Sequence, residues 1–256
     1  MIAREYVESV AAKQMRVDGR AFDAFRPVTI EYGVSAKSAE GSARVTIGDT
    51  IVVAGVKLDI GPPFPDKPDE GSLVVNVELI PLSSPQFESG PPSIDAIELA
   101  RVTDRGIRES HAVDFKKLCV REGEKVWLVF VDIYPINAAG NLFDACALAA
   151  LAAIRDARFP RLEGDKVDYT KRTSVPLPLT QLPIGVTVWR VGSSLLVDLL
   201  PDEEEAANAR LTVVFTEDGK ICAMQKGLDA SFTMDEVFAV VDLAGQKSQE
   251  LRRLFL

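Results

Sequence analysis

The chain has 256 residues, 47% hydrophobic and 26% charged, so it holds ample material for a buried core and is no disordered tract. Its formal charge of −9 excludes a protein that coats nucleic acid with its whole surface, though not one that carries a local basic stripe. Three widely spaced cysteines among apolar neighbours (Cys119, Cys146, Cys222) suit buried free thiols in a reducing cytoplasm, and a single histidine, His111, excludes a histidine-based metal cluster.

In chain order, residues 1–15 read as a short amphipathic helix before a turn at Asp18-Gly19. Ala43 to Asp59 holds two alternating segments around Gly48-Asp49, a hairpin signal. Ile60 to Gly71 is rich in proline and has neither strand nor helix period, and Ser72 to Leu82 returns to a strand pattern. A second proline-containing loop runs from Ser83 to Pro92, and Ser93 is placed to cap the helix that follows. Lys117 to Ile136 predicts a hairpin around Arg121–Lys125, and Leu142 to about Arg158 a helix apolar nearly all round, hence buried. The apolar stretch in that helix is too short and too rich in alanine to span a bilayer, and no secretory leader opens the chain, so no membrane partner is expected.

A polar linker is expected over 161–174. Beyond it, strands are predicted at Leu182–Arg190 and Leu195–Leu199, a hairpin at Asp218-Gly219, and a last helix opening on Thr233-Met-Asp-Glu236, which has capping-box spacing. Both halves thus read as antiparallel strands followed by helices. That grammar predicts an α+β duplication with two sheets packed through their helices, the halves covering about 28–160 and 175–256 of a single domain over 1–256.

Three stretches could carry chemistry. On the helix after Ser93, Arg101, Arg105 and Arg108 fall within a stripe roughly 60° wide, while Leu99, Thr103 and Ile107 face the opposite side. Guanidinium groups along one ridge can meet successive phosphates. Glu98, Asp104 and Glu109 also stand at pairing distance, so a salt-bridged, solvated face is the competing reading. Asp198, at a strand end before Pro201-Asp-Glu-Glu-Glu205, could serve as a general acid or metal ligand, although such a run more often forms a solvated loop. Asn137 to Ala150 is a turn feeding a helix N-terminus, a natural anion site, yet Leu142 and Phe143 stand where a hydroxyl and a cation would be wanted. No Walker loop, zinc spacing or nucleophile–histidine–acid set is present, and no cofactor is implied.

Arg16-Val-Asp-Gly-Arg20, followed by Arg26-Pro27, resembles the opening of RNase PH-type proteins. The strand order, the arginine-bearing helix, the turn at Gly140 and the strand bearing Asp198 fall where that family places them, and the resemblance extends from about Arg16 to the C-terminus. It implies the RNase PH fold, which is like domain 2 of ribosomal protein S5. Among such proteins the chain is most similar to the archaeal exosome subunit that lacks activity.

Active members carry a Gly-Ser-Arg-Thr-type sequence whose serine, arginine and backbone amides hold the phosphate that attacks RNA. Aligned on Ala145-Cys146, this chain has Leu142 and Phe143 at the serine and arginine, and Asp144 at the threonine. The resemblance therefore implies a dismantled phosphate site, an anion there losing its charge-assisted bonds and meeting a negative charge. Asp198 matches an acid of active members, and Glu204 stands at the second acid six residues later, so a metal-binding role stays open. The loop that is basic in active relatives has Asp66, Asp69 and Glu70 against only Lys67. Partners implied are a catalytic RNase PH-type subunit alternating in a hexameric ring, RNA-binding cap proteins of the S1/KH type, and single-stranded RNA bound by Arg101, Arg105 and Arg108. An active phosphorolytic enzyme using Asp198 and a purely architectural subunit are the alternatives.

Overall fold

A computed structural model describes residues 4–164 and 166–256. The chain opens with helix α1 (Arg4–Ala11) and the strands β1 (Val28–Tyr32), β2 (Gly41–Ile47), β3 (Thr50–Gly61) and β4 (Ser72–Val77). Helix α2 (Ile94–Glu109), strands β5 (Cys119–Arg121) and β6 (Lys125–Asn137), and helix α3 (Leu142–Asp156) complete the first half. A ribbon of β7 (Arg158–Glu163) and β8 (Lys166–Pro176) follows. The second half consists of β9 (Ile184–Val191), β10 (Ser194–Val197), α4 (Pro201–Ala206), β11 (Ala209–Phe215), β12 (Ile221–Gly227) and α5 (Met234–Arg252). Residues 1–3 of the N-terminal helix expected from sequence lie outside the described residues.

The first sheet has the order β1-β2-β3-β6-β4, with β5 also pairing β6; the second has the order β10-β9-β11-β12. Helix α3 lies between them and touches β2, β3 and β6 on one side and β9 on the other. Helix α5 covers the far face of β9 and β11. This layering explains the two kinds of strand. β3 has one covered face and alternates buried with partly buried residues, whereas β11 is covered on both faces and is buried at every position. Ten residues of α3 are buried, seven of them consecutive from Leu148 to Ile154, so the helix has no wet face to signal its period.

Two expectations are corrected here. The strand after Gly71 stops at Val77 and runs parallel to β6, because α2 intervenes as a crossover between them. The segment read as a polar linker is the β7–β8 ribbon, whose polar composition reflects a two-stranded element largely in water. Of the three cysteines, only Cys146 is fully buried; Cys119 and Cys222 are partly so. Among the described residues no helix is long and apolar enough to cross a membrane.

Close approach of α3 to β2 depends on small residues. A Cβ on Gly41 would overlap the carbonyl of Ala153 and the backbone of Ala157. Gly41→Ala is therefore expected to destabilise the chain by about 1–3 kcal/mol, the usual cost of overpacking a rigid core, measurable as a lower urea midpoint at unchanged slope.

Candidate functional site

The two halves meet at Asp198. It follows β10 in a left-handed conformation, φ 49°, and its side chain is fully buried. Its Oδ2 accepts from the Arg26 backbone N at 2.7 Å, from Arg26 Nε at 2.9 Å and from Arg20 Nη1 at 2.8 Å. Its Oδ1 accepts from Arg26 Nη2 at 2.7 Å and from Asn141 Nδ2 at 3.1 Å. Burial alone would raise the carboxyl pKa, but the hydrogen bonds and charge of Arg26, with Arg20 behind it, hold it below the ordinary aspartate value. A carboxylate with both oxygens so engaged is neither a proton donor nor an open metal ligand.

The acidic run after it is not the solvated loop expected from sequence. It forms α4, and Glu203 is 2% exposed. Arg16 donates to Glu203 through Nε at 2.9 Å and also through Nη2, and to the carbonyls of Val197 and Asp198 at 3.0 and 2.9 Å. The buried arginines explain the inversion, because a guanidinium out of water needs carboxylates and carbonyls around it. The motif Arg16 to Arg26 thus acts as a clamp on the strand end, a role the sequence left unassigned.

Glu204 closes the N-terminus of α3. Gly140 (φ 88°) brings the backbone against Leu199, where a Cβ would overlap the Leu199 carbonyl, and Asn141 (φ 54°) enters the helix from the left-handed region. The Asn141 N–H donates to Glu204 Oε1 at 2.8 Å. An internal carboxyl group thus occupies the end of the helix that favours anions. Leu142 and Phe143 follow as partly buried side chains packed against the core. Asp144 turns inward, 1% exposed, with Oδ1 accepting from the Thr187 N–H at 2.8 Å and Oδ2 without a hydrogen-bond partner among the described residues. Its expected charge against a bound anion is therefore corrected: the side chain faces β9, because the first turn of α3 is covered by the second sheet. Burial pushes both Asp144 and Glu204 up to about 7. Among the described residues no group of three or more histidine, cysteine, aspartate or glutamate side chains is placed to hold a metal ion.

On α2, capped by Ser93 Oγ accepting from the Ala96 N–H at 3.2 Å, Leu99, Thr103 and Ile107 are buried and Arg101 and Arg105 exposed. Neither of these two arginines makes a hydrogen bond or ion pair among the described residues. Arg108 differs. It is half-buried, donates to Asp104 at 2.6 and 3.0 Å and to the Leu73 carbonyl at 2.8 Å, and lies over the Phe115 ring. His111 sits just past the helix, exposed at φ 54°, its N–H donating to the Arg108 carbonyl. Glu98 pairs with Arg210 on β11 at 2.6 Å. Arg210 was not singled out from sequence, although a lone arginine in the strand Ala-Arg-Leu-Thr-Val-Val-Phe was a visible signal.

Two sheets sharing an internal helix, with an arginine-clamped aspartate at their junction, define a two-halved α+β class of protein. Models of the 3′ exoribonuclease family match over residues 24–160 (domain 1) and 181–247 (domain 2). The chain belongs to this RNase PH family. It is 47% identical over 251 residues, covering 98% of this chain and 94% of the relative, to the exosome complex component Rrp42 of Methanocella arvoryzae. To that of Thermococcus gammatolerans it is 45% identical over 263 residues, covering 100% and 94%. It superposes with a TM-score of 0.92 and 45% identity on a chain of the Archaeoglobus fulgidus exosome with RNA bound to the active site, covering 99% of this chain and 97% of that one. A chain of an archaeal exosome core gives 0.87 and 42%, covering 98% and 95%.

The raised carboxyls set a pH dependence. Native Asp144 and Glu204 keep their protons up to about pH 7, whereas the unfolded chain releases them near pH 4. The native state binds more protons between those limits, so stability is highest below about pH 4 from these groups and is lost as pH rises towards 7. The loss is on the order of a few kcal/mol. Asp144→Asn is expected to flatten part of this slope, read as urea midpoints at intervals from pH 5 to 8; a variant with the parent's slope would contradict a neutral Asp144.

Proposed function

We propose that the chain is a non-catalytic subunit of an archaeal exosome core, the complex that degrades RNA from the 3′ end. It alternates with a catalytic RNase PH-type subunit in a hexameric ring beneath S1/KH-type cap proteins, shapes the partner's active site and helps hold single-stranded RNA. The observation that carries this reading is the first turn of α3, where Leu142 and Phe143 are partly buried and packed against the core. Where active relatives carry a serine and an arginine for the attacking phosphate, this chain presents two apolar side chains. The engaged state of Asp198 opposes the alternative of an active phosphorolytic enzyme.

Arg101 and Arg105 are the RNA-binding residues in this reading, since both are exposed and uncompensated. Arg108 belongs to the same stripe, but its engagement with Asp104 favours an architectural share in its role. Support for a ring partner comes from the surface: Ile94 is 83% and Ile97 45% exposed on α2, next to the open edge of β12.

The chain alone is expected to release no nucleoside diphosphate from RNA in the presence of phosphate, and phosphate is expected to raise its melting temperature no more than a matched salt control. Robust phosphorolysis that disappears in Asp198→Ala would reverse the assignment.

In the assembled ring, Arg101→Ala with Arg105→Ala is expected to weaken binding of single-stranded RNA nearly independently of sequence. The slope of log affinity against log salt should fall in magnitude by about 0.7 for each phosphate that the ring no longer neutralises. An intact ring with the parent's affinity and slope would assign the arginines to architecture.

A further inference from the structure

Glu98 is the side chain best placed to neutralise the arginine stripe. It stands three residues before Arg101 on α2, a spacing at which glutamate and arginine pair across a helix turn. Its carboxylate accepts instead from Arg210 Nη2 at 2.6 Å. Asp104, three residues after Arg101, is taken in the same way by Arg108 at 2.6 Å. Both acids within a turn of Arg101 are thus held by other cations. Arg101 is left exposed beside Arg105 along a groove of about 380 Å³ that also includes Ile97, Gln225 and the two paired acids, Glu98 and Asp104.

The reach of Arg210 is tightly constrained. It sits on β11 between its cross-strand neighbours Trp189 on β9 and Gly227 on β12. It is 5% exposed, and a Cβ on Gly227 would overlap its guanidinium where it now lies. The guanidinium carbon lies 4.0 Å from the ring centre of Phe143 and 5.6 Å from that of Trp189. Two ring faces fix the plane of the fork; among the described residues its carboxylate partner at ion-pair distance is Glu98, while its charge also reaches Glu204. An arginine this buried, with Nη1 left unpaired, is a costly way to cap a helix acid. Phe143, which by family resemblance replaces the phosphate-holding arginine of active relatives, is the platform.

We infer that Arg210 is a positioning residue for RNA: by holding Glu98 against the second sheet, it keeps the Arg101 guanidinium uncompensated and open to a phosphate. The inference rests on the reading of Arg101 as a phosphate contact. Losing the phosphate-site cation at Phe143 and keeping an uncompensated cation on α2 are then two ends of one side-chain stack.

The test uses the full chain in the assembled ring, with a fluorescent single-stranded oligoadenylate as probe. Arg210→Met should release Glu98 to pair with Arg101, weakening binding several-fold and lowering the salt slope by about 0.7, the share of one single-strand phosphate. Adding Glu98→Gln to that variant should restore both readings, which repair of packing alone would not do. Glu98→Gln by itself keeps its hydrogen bond to Arg210 and should bind like the parent. Parent-like binding by Arg210→Met, or a double variant as weak as Arg210→Met, overturns the inference. If Arg210→Met does not assemble, Glu98→Gln still decides, because clearly tighter binding would mean that the Glu98 charge already acts on the stripe. Arg101→Ala separates the two levels: no effect there removes the RNA-contact reading itself, whereas an effect there with none from Arg210→Met removes only the role of Arg210.

Discussion

Buried charge must be matched, and the clamp on Asp198 is where this chain meets that constraint. Arg16, Arg20 and Arg26 face Asp18, Asp198 and Glu203, so three guanidiniums meet three carboxylates in a region with little access to water. Removing Asp198 would leave Arg26 buried without its carboxylate, at a cost of about 3–5 kcal/mol for a buried pair. The clamp draws the N-terminal segment across the end of β10 and ties it to the turn at Gly140, which accepts from Arg26 through the Ala139 carbonyl at 2.7 Å. Everything else at the junction is arranged around that fixed centre.

With the cations committed, burial outweighs what countercharge reaches the neighbouring acids, Glu204 still feeling Arg26 and Arg210. Asp144 and Glu204 are both pushed up to about 7, and each feels Asp198 as a further like charge. Their carboxyls do the work of polar neutral groups, Glu204 satisfying the first free N–H of α3 and Asp144 that of Thr187. An incoming phosphate would have to displace Glu204 and would find no arginine in the first turn of the helix. The same first turn of α3 gives up phosphate binding and supplies Phe143 as a surface for Arg210.

Elements with a strong period or a local punctuation signal were legible in the sequence. The hairpin at Gly48-Asp49, the Ser93 cap and the Thr233 capping box stand where expected, because each is fixed by residues within a few positions of one another. The parallel placement of β4 was not legible, since strand direction depends on a crossover rather than on the strand's own composition. The acidic run misled for a related reason: Glu203 and Glu204 look like solvent ligands until Arg16, 187 residues away, and the turn at Asn141 are brought to them. The stripe on α2 lay open to the helical period, but which of its arginines is already paired depended on side chains from β11 and on rotamers within the helix.

The centrality of α3 bears on how the chain can come apart. Its alanine-rich surface is buried against the first sheet and against β9 at once, and a single apolar cluster runs from Ala43 through Leu151 to Val213 and Val240. Cutting the exposed β7–β8 ribbon would sever the chain without separating the halves, for neither sheet can cover the helix by itself. Backbone amides of α3 then have no local route to solvent, and their hydrogen exchange would track the global unfolding of both halves together.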